Sequence, residues 1–80
     1  MKLQILGTGC PKCNLLAERA ESASREAGLD AEVVKVTDIS EILAFGVMST
    51  PALAVDGKVL FSGKVPDVAE LRVLLTRQAG

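Results

Sequence analysis

The spacing of apolar residues along the chain changes between the period of a strand and the period of a helix. A first strand is predicted over residues 2–6, which end at a Gly-Thr-Gly turn at 7–9. From Pro11 the apolar residues take helical spacing, and Gly28 stands where a helix C-cap is expected. The residues that form this predicted stripe are Leu15, Leu16, Ala20, Ala23 and Ala27.

The middle of the chain predicts a second strand and a short helix. β-branched residues cluster over residues 32–36 with no turn residue among them, which favours a strand. Asp38 and Glu41 have the spacing of a capping box, so a short helix should begin there and end near Gly46. The apolar stripe expected on this helix consists of Ile39, Ile42 and Leu43.

The last third of the chain predicts a hairpin and a closing helix. Apolar runs at 52–55 and 58–61 are joined by Asp-Gly, a strong hairpin signal because a type I′ turn needs positive φ at both central residues. A last helix should begin near Asp67, with Glu70 three residues later, and fray at residues 79–80. The residues that it should bury are Val68, Leu71, Leu74 and Leu75.

These elements have the order βαβαββα, which is an α/β arrangement. A strand, a helix and a strand in succession form a parallel pair with a right-handed crossover, and the hairpin adds antiparallel strands to the same sheet. We therefore expect a mixed sheet of four strands flanked by helices. Eighty residues suffice for one domain, so residues 1–80 are predicted to form a single domain.

Composition limits the chemistry that the chain can perform. An apolar fraction of 49% and a net charge of −1 predict a folded protein without a positively charged surface for nucleic acid. The chain has no histidine, which excludes histidine-dependent nucleophilic sites and histidine-ligated zinc. Catalysis would have to come from sulfur, carboxylates, lysine or backbone amides.

No apolar run is long enough for a signal peptide or a membrane span, so we expect a cytoplasmic protein without membrane contact. The cytoplasm keeps thiols reduced. A cysteine pair there is expected to be catalytic, redox-sensing or metal-binding rather than a structural bond.

The two cysteines lie in Cys10-Pro11-Lys12-Cys13, at the junction of the first strand and the first helix. Proline fits best at the first helical position, which makes Cys10 the N-cap and Cys13 the N3 residue on the same face. The helix dipole and a nearby Lys12 would lower the pKa of Cys10. We hypothesise that Cys10 attacks a substrate disulfide and Cys13 resolves the mixed disulfide, with no cofactor besides the Cys10–Cys13 disulfide.

Other functions of this pair stay open. Two thiolates at this spacing could carry Cu(I). Small carriers of that kind resemble the order βαββαβ, however, whereas this chain has a hairpin followed by a final helix. No resident metal is expected, because a closed zinc site would need further cysteine or histidine ligands. A non-catalytic redox-sensing or binding module is another possibility. A purely structural disulfide would constrain little, because it closes a very short loop.

Taken together, these motifs resemble the thioredoxin superfamily, and more closely its small thioredoxin-like or glutaredoxin-like redox-active disulfide proteins. The resemblance rests on the Cys10–Cys13 motif after a strand, on Thr50-Pro51 before the third strand and on the hairpin before a closing helix. It implies a thioredoxin-like fold and a thiol–disulfide oxidoreductase. It also implies a cis peptide bond at Pro51, which lies against the cysteine sulfurs, and a Thr50 whose backbone binds an extended substrate.

The resemblance further implies the partners. Substrates would be protein or small-molecule disulfides, an external thiol reductase would supply electrons, and the protein would act as a monomer. The sequence also departs from the family pattern. Gly9 stands where typical thioredoxins have a tryptophan, residues 2–6 contain no acid, and Lys12 replaces the tyrosine of glutaredoxins, so glutathione binding is not implied.

The sequence leaves the roles of two further residues open. Lys12 either tunes Cys10 or is a solvated residue of the first helical turn. Met48 is a soft metal ligand, lines a substrate groove beside the cysteines, or is an ordinary loop or core residue, and the ordinary role is favoured.

Overall fold

A computed structural model describes residues 1–79, and its elements follow the predicted order βαβαββα. The strands are β1 (Lys2–Leu6), β2 (Glu32–Val36), β3 (Ala52–Val55) and β4 (Lys58–Ser62). The helices are α1 (Pro11–Glu26), α2 (Ile39–Ala44) and α3 (Val68–Ala79). Ala79 is still helical, and Gly80, where fraying was also predicted, lies outside the described residues.

The strands form one mixed sheet of four strands in the order β2-β1-β3-β4, as predicted. β1 pairs in parallel with β2 and antiparallel with β3, and β3 pairs antiparallel with β4. In the β1–β3 pair, Leu6 lies opposite Ala52. The loop that leaves β1 therefore lies beside the loop that enters β3, although the two are more than forty residues apart in sequence.

The hairpin between β3 and β4 has the predicted turn. Asp56 has φ 49° and Gly57 has φ 89°, the two positive values that a type I′ turn requires. The strand pairing then contains a bulge, because Leu53 pairs with Phe61 whereas Ala54 pairs with Val59. The sequence pattern did not predict this extra residue in β4.

The helices cover both faces of the sheet, and each face has its own core. β1 contributes to both cores, because alternate residues of a strand point to opposite faces. Leu3 and Ile5 of β1 pack in a larger core with residues of α1 and α3, whereas Leu6 packs in a smaller core with Ile42 of α2. All four residues of β3 are buried. The largest fully buried side chains are Leu3, Ile5, Leu6, Leu16, Leu53, Leu71 and Leu75.

The apolar stripe predicted for α1 needs correction at Leu15, which is 39% exposed. The buried stripe of this helix begins at Cys13 and continues through Leu16, Ala17, Ala20 and Ala23, at the three- and four-residue spacings of one helix face. Leu15 precedes Leu16 by one residue and is therefore turned about 100° away from it. Cys13 thus belongs to the core-facing side of α1.

The stripe predicted for α2 is wrong at two of its three positions. Ile39 and Leu43 are each 62% exposed, and only Ile42 is buried. The helix has six residues, and a single apolar side chain anchors it against Leu6, Val47 and Ala52. Its N-cap is as predicted, because the Asp38 carboxylate accepts hydrogen bonds from the backbone N–H groups of Ser40 and Glu41.

The predicted burial on α3 is confirmed for Leu71 and Leu75, while Val68 and Leu74 are partly buried. Met48 is 99% exposed in the loop after α2, so the core position considered for it is wrong. None of the helices within residues 1–79 is long and apolar enough to cross a membrane.

Candidate active site

The cysteine pair lies where β1 ends and α1 begins, at one edge of the sheet. The backbone N–H of Gly7 donates to the carbonyl oxygen of Val36 at 3.0 Å, which continues the β1–β2 pairing into the loop. Pro11 is the first residue of α1, and the Asn14 N–H donates to the Cys10 carbonyl oxygen at 3.1 Å, closing the first helical turn. Cys10 is thus the N-cap, as the position of the proline predicts.

The two thiols are in direct contact in the reduced state. Both cysteines are free, and their Sγ atoms are 2.6 Å apart. The Cys10 Sγ also accepts a hydrogen bond from the backbone N–H of Cys13 at 3.3 Å. A disulfide can form with little movement of the backbone, because the sulfurs already face each other across one helical turn.

The environments of the two sulfurs differ. Cys10 is half exposed, whereas Cys13 is 4% exposed on the core-facing side of α1. The hydrogen bond with the Cys13 side chain lowers the pKa of the Cys10 thiol from its ordinary value of 9.0, and the backbone N–H groups of Cys13 and Lys12 lower it further. Burial raises the pKa of Cys13, and so does its contact with Cys10. The geometry therefore favours a thiolate at Cys10 and a protonated thiol at Cys13.

The structure distinguishes between the two roles considered for Lys12, tuning of Cys10 and a solvated position in the first helical turn. Its side chain is exposed, and its influence on the pKa of Cys10 comes from its backbone N–H. An unpaired N–H in the first turn acts in this way whichever side chain its residue carries. The sulfur is thus polarised by the helix terminus, and this favours the solvated role for the Lys12 side chain.

Gly7 is a site residue that the sequence reading missed. A Cβ built at this position would overlap the Cys13 Sγ and lie 3.2 Å from the Cys13 Cβ. The backbone directly after β1 therefore passes so close to the buried sulfur that only glycine fits without a shift. In the sequence, Gly7 has the pattern of a turn residue, and its position six residues before Cys13 was the only available signal.

Thr50 and Pro51 are brought to the same edge by the β1–β3 pairing. The peptide bond between them is cis, and the Pro51 carbonyl oxygen accepts a hydrogen bond from the Gly63 N–H at 2.8 Å. The Thr50 Cβ would lie 3.9 Å from a Cβ at Gly7, so Thr50 borders the space beside Cys13. The direct contact of Pro51 with the sulfurs stays a prediction.

The described residues offer few ligands for a metal. Within residues 1–79, no group of three or more cysteine, aspartate, glutamate or histidine side chains could hold a metal ion together. Cys10 and Cys13 would supply two sulfur ligands, which suits a two-coordinate Cu(I) ion but leaves a tetrahedral zinc site half formed. The observed order βαβαββα also differs from the carrier order βαββαβ.

Comparison with known proteins identifies a family. A family model described as thioredoxin domain matches residues 1–76. A protein named thioredoxin from Methanocaldococcus jannaschii is 49% identical over 70 residues, which cover 88% of this chain and 80% of that protein. A thioredoxin from Methanothermobacter thermautotrophicus is 41% identical over 76 residues, 95% of this chain and 99% of that protein. A probable thioredoxin from Archaeoglobus fulgidus is 36% identical over 74 residues, 89% of this chain and 80% of that protein.

Proposed function

Because this chain belongs to the thioredoxin family and is a thiol–disulfide oxidoreductase, we propose that Cys10 is its attacking thiol and Cys13 its resolving thiol. The observation that supports these roles is the difference in exposure between the two sulfurs. Cys10 is half exposed and Cys13 is 4% exposed, so a disulfide in another protein can reach only Cys10. The lowered pKa of Cys10 supports the same assignment, because the thiolate is the nucleophile in disulfide exchange.

The reaction proceeds in two exchanges. The Cys10 thiolate attacks one sulfur of the substrate disulfide, a mixed disulfide forms, and the other substrate sulfur leaves as a thiolate that takes up a proton. Cys13 then gives up its proton and attacks the Cys10 sulfur, which releases the second substrate thiolate. Two electrons have moved to the substrate, and the protein holds a Cys10–Cys13 disulfide. The two substrate thiols take up one proton from Cys13 and one from water, which had received the proton of Cys10. An external dithiol reductase returns the two electrons by the reverse exchange.

Four neighbouring residues support this chemistry in our proposal. Pro11 starts α1 so that Cys10 occupies the N-cap, and the Lys12 backbone N–H helps to lower the pKa of Cys10. Thr50 and Pro51 bind the substrate segment that carries the disulfide, since Thr50 borders the space beside Cys13. No cofactor takes part besides the Cys10–Cys13 disulfide.

Family membership implies protein disulfides as substrates and a reductase as the electron donor. We further propose that small-molecule disulfides react, that the protein acts as a monomer, and that it works in the cytoplasm, where reductases keep thiols reduced. Light scattering on the reduced protein tests the oligomeric state. A mass of one chain is expected, and a mass of two chains would contradict the proposed monomer.

Alkylation tests the roles of the two cysteines. The reduced protein is treated with iodoacetamide below one equivalent, and peptide mapping is expected to find the label on Cys10 because its thiolate is exposed. With a disulfide substrate, Cys13→Ser should accumulate a mixed disulfide at Cys10, since nothing resolves it. Cys10→Ser should form no such adduct and show no turnover.

The two serine variants serve as controls for each other, because each removes one sulfur from the same helical turn. Preferential labelling of Cys13 in the native protein would contradict the assignment. A mixed disulfide trapped in Cys10→Ser rather than in Cys13→Ser would reverse the two roles.

A further inference from the structure

Two grooves share Thr50 as a lining residue. Each is also lined by a residue two positions from Cys10, which is Lys12 in one groove and Thr8 in the other. The first, here called the cationic groove, has a volume of about 320 Å³ and is lined by Lys12, Leu15, Arg19, Thr50, Pro51 and Lys64, among others. The second, here called the apolar groove, has a volume of about 190 Å³ and is lined by Thr8, Ile39, Ile42, Leu43, Met48 and Thr50, among others. A chain segment bound over Thr50 would enter both.

The cationic groove concentrates positive charge on an acidic protein. The chain carries nine Lys and Arg residues against ten Asp and Glu, yet the groove has three of the cations, and no acid among residues 1–79 lines it. Arg19 is held there, because its guanidinium donates to the carbonyl oxygens of Val65 and Pro66 at 3.1 and 3.3 Å. The groove is thus suited to a carboxylate.

Lys64 is an exposed member of this groove that a substrate can reach. Its ammonium nitrogen lies 5.5 Å from the centre of the Phe61 ring and 3.8 Å from a carboxylate oxygen of Glu70. The Lys64 and Glu70 side chains are 58% and 53% exposed, so this ion pair is solvated and weak. A substrate carboxylate can therefore bind Lys64 without breaking a strong contact.

The apolar groove collects the exposed hydrophobic side chains. Five large hydrophobic residues are exposed among residues 1–79, and three of them, Ile39, Leu43 and Met48, line this groove. A fourth, Leu15, lines the cationic groove, so only Val73 lies away from the site. Exposed apolar side chains gathered at one place mark a surface that binds a partner.

We propose that this oxidoreductase prefers client proteins whose reacting cysteine has an apolar residue on one side and an acidic residue on the other. The inference rests on the proposed function, because it places the client disulfide at Cys10. The occupant is an extended client segment, since the two grooves share Thr50 as a lining residue and differ in charge. Such a segment advances about 3.3 Å per residue, so residues close to the cysteine on either side reach the two grooves.

Peptide substrates test this preference. Each peptide carries one cysteine as a 2-pyridyl disulfide, and the release of thiopyridone by the reduced protein gives a second-order rate constant. The first pair of peptides has Leu on one side of the cysteine and Glu on the other, in both orders. A second pair has Lys in place of Glu, and the reference peptide has Ser on both sides. Each rate constant is divided by that for dithiothreitol with the same peptide, which removes the intrinsic reactivity of the peptide.

Of the two Leu and Glu peptides, one should react about fivefold faster than the serine peptide at low salt. The Leu and Lys peptide with Leu on the same side should react more slowly than this Leu and Glu peptide. The advantage of Glu should shrink as salt is added, because the charges are exposed. Equal rates for all peptides within twofold would overturn the inference.

Variants with matched controls locate the effect. Lys64→Gln should lower the rate ratio of the Glu peptide to the serine peptide by about twofold to fivefold, whereas Lys58→Gln, at the far end of β4, should leave it unchanged. Leu43→Ser should lower the same ratio, because the Glu peptide also carries Leu, and Val73→Ser, which replaces an exposed apolar residue away from the site, should not. Control variants that changed the ratios as much would contradict the inference.

Two outcomes separate this inference from the proposed function. If the serine peptide reacts and the flanking residues have no effect, the preference is refuted while the roles of the cysteines stand. If no peptide reacts, the proposed function fails as well. A dimer in light scattering that Leu43→Ser converts to a monomer would show that a second copy covers the apolar groove, and would also overturn the inference.

Discussion

Replacing Gly7 by alanine tests the close approach between the backbone after β1 and the buried sulfur. The added Cβ would overlap the Cys13 Sγ and lie 3.2 Å from the Cys13 Cβ. To reach ordinary van der Waals separation, the sulfur would have to withdraw by more than about 1 Å. Cys13 is 4% exposed and belongs to the buried stripe of α1, so the start of α1 must move with it.

The expected cost follows from two opposing effects. Adding a methyl group to a packed interior costs about 1–3 kcal/mol. Replacing glycine by alanine also reduces the conformational entropy of the unfolded chain, which returns about 0.4–1 kcal/mol where the backbone conformation suits alanine. Gly7, unlike Gly46, is outside the left-handed region, so this gain applies. We expect a net destabilisation of about 1–2 kcal/mol, measured by urea unfolding under reducing conditions.

The same substitution should change the reactivity of Cys10. The hydrogen bond with the Cys13 side chain is the largest cause of its lowered pKa, so a displaced Cys13 sulfur should let the pKa of Cys10 rise. The rate of iodoacetamide alkylation, measured against pH, should then reach its midpoint at a higher pH in Gly7→Ala than in the native protein.

Two controls separate these effects. Gly46→Ala adds a methyl group in open space at φ 83°, so it should lose stability through backbone strain without moving the alkylation midpoint. In a Cys13→Ala background, Gly7→Ala should cost much less, because the overlapping sulfur is gone. A Gly7→Ala protein with native stability and a native midpoint would refute the reasoning.

Two further predictions concern the site and the core. The alkylation midpoint of Cys10 should lie below pH 9.0, and the rate should fall as the pH drops through the pKa of Cys10, because the thiolate is protonated. Cys13 should still be a thiol at the Cys10 midpoint. Cys13→Ala should raise the Cys10 midpoint, and an unchanged midpoint would show that the contact between the thiols does not lower the pKa. Leu53→Ala should lower the free energy of unfolding in urea by about 2–5 kcal/mol, because Leu53 is fully buried in β3. Val73 is 49% exposed, so Val73→Ala should change the free energy of unfolding by about 0.5 kcal/mol or less. Similar losses in the two variants would contradict the assigned core.

Much of the fold could be predicted because its signals are local. Asp56 and Gly57 specify a tight turn through the φ values that they tolerate, and Pro11 specifies where α1 begins. Burial on α2 could not be predicted in the same way. The exposure of Ile39 and Leu43 depends on which neighbours cover a six-residue helix, and no local pattern contains that information.

The same distinction between local signals and long-range contacts applies to the candidate site. Sequence spacing was enough to place Cys10 at the helix N-cap and Cys13 one turn away, since a proline at the first helical position fixes the register of the turn. It was also enough to suggest disulfide exchange, because a chain without histidine has few other nucleophiles at a polarised position.

Tertiary structure decided which sulfur is buried and what surrounds the pair. The pairing of Leu6 with Ala52 brings Thr50 beside Gly7, and packing of α1 against the sheet buries Cys13 while Cys10 stays half exposed. The opposite directions of the two pKa shifts follow from that burial and from the contact of the sulfurs. These properties depend on contacts between segments far apart in sequence, and only the assembled sheet with its packed helices brings those segments together.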